Sequence, residues 1–196
     1  MIVGIRHAHV WNPEGLVYGR LPGFHLSEQG RAAARSLSAA LAQAPVRAVY
    51  ASPLDRATQT AAILAEPHGL AVRGDERLSE WSFWEHWQGM AWSRIRERDP
   101  ELLEAYARDP GSAVSAASLE TAGRGVTAWA GEAEARFPGS LVLGVTHEAP
   151  LIAAMLLGEG RSLSDYHTYN LANLACVRLL PGPPQVVDLA EWARSC

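Results

Sequence analysis

The chain has no lysine: all seventeen of its basic residues are arginine. An arginine at any one position is therefore weak evidence by itself, because nothing else is there to carry positive charge. No basic tract stands out, and the formal charge is −4 over 196 residues, so the electrostatic footprint of a nucleic-acid binder is missing. Cysteine is scarce. Cys176 and Cys196 are too few for a disulfide scaffold and form no CxxC pair, which makes a reducing compartment, the cytoplasm, the expected location. No apolar run approaches the length needed to cross a bilayer, so no membrane partner is expected. The opening MIVGIRHAHV has no charged n-region and too short an apolar run for a signal peptide. Internal repeats and low-complexity linkers are absent as well. What remains is a chain with 48% hydrophobic and 19% charged residues, enough to bury one substantial core, and a single domain over residues 1–196 is expected.

Short apolar runs alternate with longer helical patterns, which points to an α/β fold with a mostly parallel central sheet covered by helices. Ile2 to Ile5 reads as a buried strand, followed by an irregular Gly- and Pro-rich stretch from Asn12 to Phe24. Ser27 reads as a helix N-cap, with Ala34, Leu37 and Leu41 at helical spacing behind it. Val46 to Ala51 reads as a second strand, and Ser52-Pro53 as the N-cap and first position of a helix to about Leu64. A short third strand is expected at Leu70 to Val72, and helices over 94–108 and from about Leu119 to Phe137. Leu141 to Val145 is the most strand-like run, followed by a helix from Pro150 to Leu157 and final strands near 173–180 and 185–189.

Three of these strands stop at chemically loaded residues. The first ends in Arg6-His7, the second leads to Arg56, and Leu141–Val145 ends in Thr146-His147. Ligands of open α/β sheets bind beyond the carboxyl ends of the strands, so parallel neighbours would bring Arg6, His7, Arg56 and His147 to one place. Helix N-termini would add backbone N–H donors there. Two guanidinium groups, two imidazoles and two helix starts suit a dianion, and phosphate matches guanidinium in a bidentate way.

The same residues carry a family resemblance. Arg6-His7-Ala8 resembles the Arg-His-Gly signature of the histidine phosphatase superfamily, the phosphoglycerate-mutase-like proteins. Leu26-Ser27-Glu28-Gln29-Gly30 is similar to that family's following element, and the run from Ala51 through Arg56 to Ala61 is nearly its second signature. Leu78-Ser79-Glu80, with Phe83 and Trp87-Gln88-Gly89, and then Val145-Thr146-His147, resemble the later ones. The resemblance implies a phosphoglycerate-mutase-like fold with helices on both faces of the sheet, and a small phosphorylated substrate. It implies that His7 is the nucleophile, that Arg6, Arg56 and His147 hold the phosphoryl oxygens, and that Glu80 is the proton donor. Neither a metal nor another cofactor is implied.

Four positions depart from the family pattern. Ala8 and Trp84 stand where glycine is expected, Asn12 comes one place early, and Glu148 replaces the glycine after the last histidine. Glu148 is therefore a rival for the acid, with Glu80 placed ahead of it. Trp81, Phe83, Trp84, Trp87 and Trp92 are read mainly as core, with one or two, Trp84 among them, walling the substrate pocket. Arg20 and His25, in the loop after the first strand, are candidates for binding a second anionic group.

Three other readings compete. His7-Ala8-His9 with His147 and Asp75 would suit a zinc hydrolase, but barrel enzymes of that kind need about 200 residues or more, and Arg6 and Arg56 would have no task. A domain that binds a phosphorylated ligand without cleaving it would tolerate the departures at Ala8, Trp84 and Glu148. A mutase would keep the phosphohistidine from water with extra segments, and the chain is shorter than typical phosphoglycerate mutases. A phosphatase is favoured, and a homodimer is left open.

Overall fold

The computed structural model describes residues 1–111 and 116–195. In chain order the strands and helices are β1 (Ile2–Arg6), α1 (Glu28–Leu41), β2 (Val46–Ala51), α2 (Asp55–Ala65), β3 (Val72–Gly74), α3 (Trp92–Arg98), α4 (Pro100–Arg108), α5 (Ala116–Arg136), β4 (Leu141–Thr146), α6 (Glu148–Gly158), β5 (Cys176–Leu180), β6 (Gln185–Val187) and α7 (Leu189–Arg194). Short 3-10 turns fill Ser82–Trp87 and Leu163–Thr168.

The strands form one six-stranded sheet in the order β3-β2-β4-β1-β5-β6. The first four in that order run parallel to one another, β5 is antiparallel to β1, and β6 is antiparallel to β5. The sheet is thus mixed at one side and parallel where the chemistry was expected. β4 sits in the middle, and all six of its residues are buried, as strands covered on both faces require.

Alternation along β1 shows the two layers. Val3 and Ile5 join the cluster containing Ala57, Ala61 and Leu64 of α2, whereas Ile2 joins the cluster containing Val126 and Trp129 of α5 and Leu151 of α6. Side chains of successive strand residues point to opposite faces, so helices cover both. At Gly144 of β4 this packing leaves no room for a side chain. A Cβ there would lie 2.2 Å from the Trp129 ring, so glycine is what lets α5 approach the sheet.

Several boundaries differ from the sequence expectation. The second helix starts at Asp55, and Leu54 at its N-cap makes no side-chain hydrogen bond. Ser52 does not cap it, because its Oγ is engaged by the His147 ring. The expected helix over 94–108 is two helices broken at Asp99-Pro100, where Asp99 has φ −129° and ψ 54°. Proline offers no N–H and pushes the preceding residue out of the helical region. The third strand lies two residues later than expected. The helix expected from Pro150 begins at Glu148, and α7 replaces the end of the last expected strand. The aromatic segment is core at Trp81, Phe83 and Trp87, which are buried, with Trp81 and Phe83 stacked at 4.7 Å.

Candidate active site

Sheet register assembles the site. Arg6 of β1 lies opposite Thr146 of β4, and the His7 N–H donates to the Thr146 carbonyl at 3.0 Å. The Ser52 N–H donates to the Val145 carbonyl at 2.9 Å. Three strand ends from distant parts of the chain thus stop side by side.

His7 is held in one tautomer. Its Nδ1 lies 2.8 Å from the Ala8 carbonyl oxygen. Only an N–H can face a carbonyl, so the lone pair is on Nε2. The Arg56 Nε–H donates to that Nε2 at 3.2 Å. Burial, then the Arg56 charge, lowers the imidazole pKa to about 3, so the ring is neutral at physiological pH. Alanine at position 8 costs nothing here. Leu174 is the one non-glycine residue with positive φ among the described residues, and the Ala8 N–H is satisfied by Thr60 Oγ1 at 3.1 Å.

Arg56 is fully buried. One Nη2–H reaches the Gly19 carbonyl at 2.7 Å, and the guanidinium carbon sits 4.7 Å from the centre of the Tyr18 ring. Among the described residues no carboxylate forms an ion pair with it. A buried cation left without a counter-charge is costly, and a bound anion would relieve that cost.

His147 packs edge-on against His7, with ring centroids 5.2 Å apart. Its Nε2 meets Ser52 Oγ at 2.8 Å, while Nδ1 is buried with no hydrogen-bond partner among the described residues. Burial first, then the neighbouring Arg56 charge and the His7 ring, holds its pKa well below the ordinary value. If the Ser52 hydroxyl donates to Nε2, the neutral ring carries its proton on Nδ1, the nitrogen left without a partner. Arg6 Nε is likewise buried without a partner. These two unused nitrogens, with Arg56, are what an anion of several oxygens would satisfy.

Two carboxyl groups flank the histidines. Glu80 Oε2 is 3.7 Å from His147 Nδ1, and its Oε1 accepts from the Trp81 N–H at 2.8 Å. Burial outweighs the opposing pull of Arg56 and raises the Glu80 pKa to about 7. Glu148 is placed differently. It pairs with Arg6 Nη1 at 3.1 Å and accepts from the Leu171 N–H at 3.3 Å, and Arg6 Nη1 also donates to the Leu171 carbonyl.

Arg6, His7, Glu80 and Glu148 open into a cavity of about 270 Å³ walled by Tyr18, Trp84, Trp92 and Tyr166. Arg56 and His147 lie just behind it. Two expected pocket residues are placed elsewhere. Arg20 lines a neighbouring cavity and reaches toward Glu85 at 3.5 Å, because its own N–H is fixed by the Gln88 side chain at 2.8 Å. His25 is exposed and pairs with Gln59 at 2.6 Å. Asn12 uses its amide to close its own loop on Leu16. The zinc alternative also loses its ligands: His9 is exposed and bonded to Ser27, and Asp75 is bonded by Arg77. Among the described residues no group of three or more His, Cys, Asp or Glu is arranged to hold a metal ion.

Sequence reasoning missed Ser52 as the partner of His147, since Ser-Pro reads as a helix start. It also missed Asn173, whose Nδ2 donates to the His7 carbonyl at 3.1 Å; nothing in the pattern around position 173 marks it.

Residues 2–193 match the model of the histidine phosphatase superfamily (branch 1). The chain belongs to that superfamily. It is 36% identical over 159 residues to an uncharacterized protein of Mycobacterium tuberculosis, covering 81% of this chain and 78% of that one. It is 29% identical over 177 residues to phosphoserine phosphatase 1 of Hydrogenobacter thermophilus, covering 88% and 82%. A mycobacterial glucosyl-3-phosphoglycerate phosphatase solved with VO3 shares the fold at a TM-score of 0.77 and 23% identity, covering 94% of this chain and 96% of that one. Family and relatives together support a phosphatase, and this histidine phosphatase has a mixed α/β fold with a helix-flanked central sheet, like its structural neighbours.

Proposed function

We propose that this histidine phosphatase is a metal-independent phosphomonoesterase that passes the phosphoryl group of a small metabolite through Nε2 of His7. The observation that carries the reading is the fixed tautomer of His7, whose lone pair is on the nitrogen facing Arg56. A neutral, oriented imidazole is a competent nucleophile, and covalent capture divides one hard displacement into two easier ones.

In the first step Nε2 attacks phosphorus, and the bond from phosphorus to the ester oxygen breaks. Protonated Glu80 gives its proton to that leaving oxygen, which its raised pKa allows near neutrality. In the second step ionised Glu80 takes a proton from water, whose oxygen attacks phosphorus. The phosphorus–nitrogen bond breaks, and phosphate leaves with His7 restored. Arg6, Arg56 and His147 meet the charge on the phosphoryl oxygens throughout, with fixed donors that need no reorganisation. Glu148 is less suited to the acid role, because Arg6 and the Leu171 N–H already engage its carboxylate.

A one-domain organisation is part of this reading, supported by a single sheet built from both ends of the chain. So is a cytoplasmic setting, supported by the near absence of cysteine. The test is turnover of p-nitrophenyl phosphate with EDTA present, together with trapping of an acid-labile phosphoenzyme. Activity is expected to survive chelation and to vanish in His7→Ala. Turnover by His7→Ala, or its loss on chelation, overturns the proposal.

A further inference from the structure

The phosphoryl group is accounted for by His7 and its neighbours, which leaves the rest of the cavity to meet the alcohol half of the ester. That remainder is aromatic and nearly devoid of free positive charge. Tyr18, Trp84, Trp92 and Tyr166 form its wall, and Leu16 and Val17 complete it. Trp84 and Trp92 meet edge-on with centroids 5.9 Å apart, and Trp92 remains 47% exposed.

Charge in the cavity is arranged against a second anion. Among the described residues lining it, Arg6 is the cation and Glu148 the anion, beside Glu80, whose carboxyl group carries a proton in the first step. Arg6 Nη1 is shared between Glu148 and the Leu171 carbonyl, and its unpartnered Nε is assigned to the phosphoryl group. Arg20 faces the neighbouring cavity and Glu85. A carboxylate on the leaving group would therefore sit beside Glu148 without a cation of its own.

We infer that this site selects phosphomonoesters of uncharged alcohols with an apolar or ring-bearing body, and discriminates against esters that carry a carboxylate beside the phosphate. The inference rests on the phosphatase reading above and narrows it. An apolar ring gains contact with Trp84 and Trp92 and displaces poorly held water. A carboxylate there meets like charge and desolvation at once.

The test compares glycerol 3-phosphate with 3-phosphoglycerate, which differ in a hydroxymethyl group against a carboxylate, and adds benzyl phosphate. The expected order of kcat/KM is benzyl phosphate, then glycerol 3-phosphate, then 3-phosphoglycerate, with the last two separated by about tenfold or more because like charges are brought together. In Trp92→Ala, whose side chain is 47% exposed, kcat/KM for benzyl phosphate falls by a larger factor than that for glycerol 3-phosphate, so the ratio of the two narrows. Equal or faster turnover of 3-phosphoglycerate sinks the inference and leaves the phosphatase intact. So does a Trp92→Ala enzyme that treats benzyl phosphate as the wild type does. Inactivity toward all three esters and p-nitrophenyl phosphate removes the phosphatase reading, and this inference with it.

Discussion

The Arg56 Nε–H points at Nε2 of His7 across 3.2 Å, with the guanidinium itself fully buried. One arginine thereby orients the nucleophile, helps to keep it neutral and waits for a counter-charge. Lysine cannot reproduce this, because an ammonium lacks the planar fork that reaches the imidazole, the Gly19 carbonyl and an anion together. Arg56→Lys is therefore expected to lower kcat/KM for phosphomonoesters by about 10²–10³-fold, the scale of losing a fixed oxyanion donor. In Arg56→Met, NMR titration is expected to show the His7 pKa above its wild-type value. Near-wild-type rates in Arg56→Lys would contradict the assignment.

Ser52 and His147 are also coupled, through a 2.8 Å contact between buried groups. Removing the hydroxyl in Ser52→Ala frees the ring to choose its tautomer. The expected cost is about tenfold in kcat, one hydrogen bond's worth, with little change in KM. Nitrogen chemical shifts of His147 give an independent readout, since a purely structural role for Ser52 would leave the proton on Nδ1.

Glu80 makes a prediction about both pH and leaving group. A pKa raised to about 7 leaves the acid form present below pH 7 and lost above it. Phosphorylation of His7 by an alkyl ester is then expected to slow as pH rises through 7, whereas hydrolysis of the phosphohistidine needs the ionised form. In Glu80→Gln the descending limb of kcat/KM disappears, and alkyl esters slow by about 10²–10⁴-fold. The phosphorylation step with p-nitrophenyl phosphate, whose leaving group needs little protonation, suffers less. If Glu148→Gln abolishes the limb and Glu80→Gln does not, the acid has been misassigned.

These residues show which parts of the site were legible from sequence. Arg6, His7, Arg56 and His147 were found because parallel strands end together, so residues just after apolar runs converge wherever the runs pair. Ser52 was misread because Ser-Pro is equally good chemistry for starting a helix, and only the register between β2 and β4 shows that its hydroxyl faces His147. Asn173 and Leu171 reach the site from an irregular segment between Thr168 and β5, where no periodicity exists to read. The ranking of Glu80 over Glu148 depends on which carboxyl is desolvated and which is paired, a property of packing. His25 and Arg20 do not line the cavity that holds His7: the His25 ring pairs with Gln59, and Arg20, its backbone N–H bonded by Gln88, lines a second cavity beside Glu80.

Buried neutral histidines also set how the fold responds to acid. The His7 pKa falls from 6.5 to about 3 on folding, and that of His147 is lowered as well. Below pH 6.5 the unfolded chain takes up protons that the folded site refuses, so the stabilising effect of neutral His7 is intact above pH 6.5 and drains away toward pH 3, with a slope of about 1.4 kcal/mol per pH unit across that window. His147 acts in the same direction. Urea unfolding in phosphate-free buffer between pH 7.5 and 4 is expected to show this loss, and His7→Asn to flatten it by one proton's share. Glu80, with its raised pKa, acts in the opposite sense, favouring the fold at low pH and losing that contribution as pH rises through 7. An unchanged slope in His7→Asn would mean that His7 is protonated in the fold.

Gly30 ties the first helix to the segment that carries the nucleophile. A Cβ at this position would lie 2.1 Å from the His9 carbonyl oxygen, two residues past His7. The Ser27 N–H donates to that same oxygen at 3.0 Å, and Ser27 Oγ caps the helix by accepting from the Gly30 N–H at 2.9 Å. Backbone, cap and helix start are thus clamped together with no space between them. Gly30→Ala must push α1 off the segment, and overpacking of this kind costs about 1–3 kcal/mol. Gly131 in α5 supplies the contrast, since nothing lies within 4 Å of a Cβ there. Gly131→Ala is expected to stabilise by about 0.5–1 kcal/mol through helix propensity without touching kcat. Gly30→Ala is expected to lower both the urea midpoint and kcat, because His7 cannot hold its place if His9 moves. Equal and harmless effects of the two substitutions would show that α1 is free to slide, and that the clamp does not position His7.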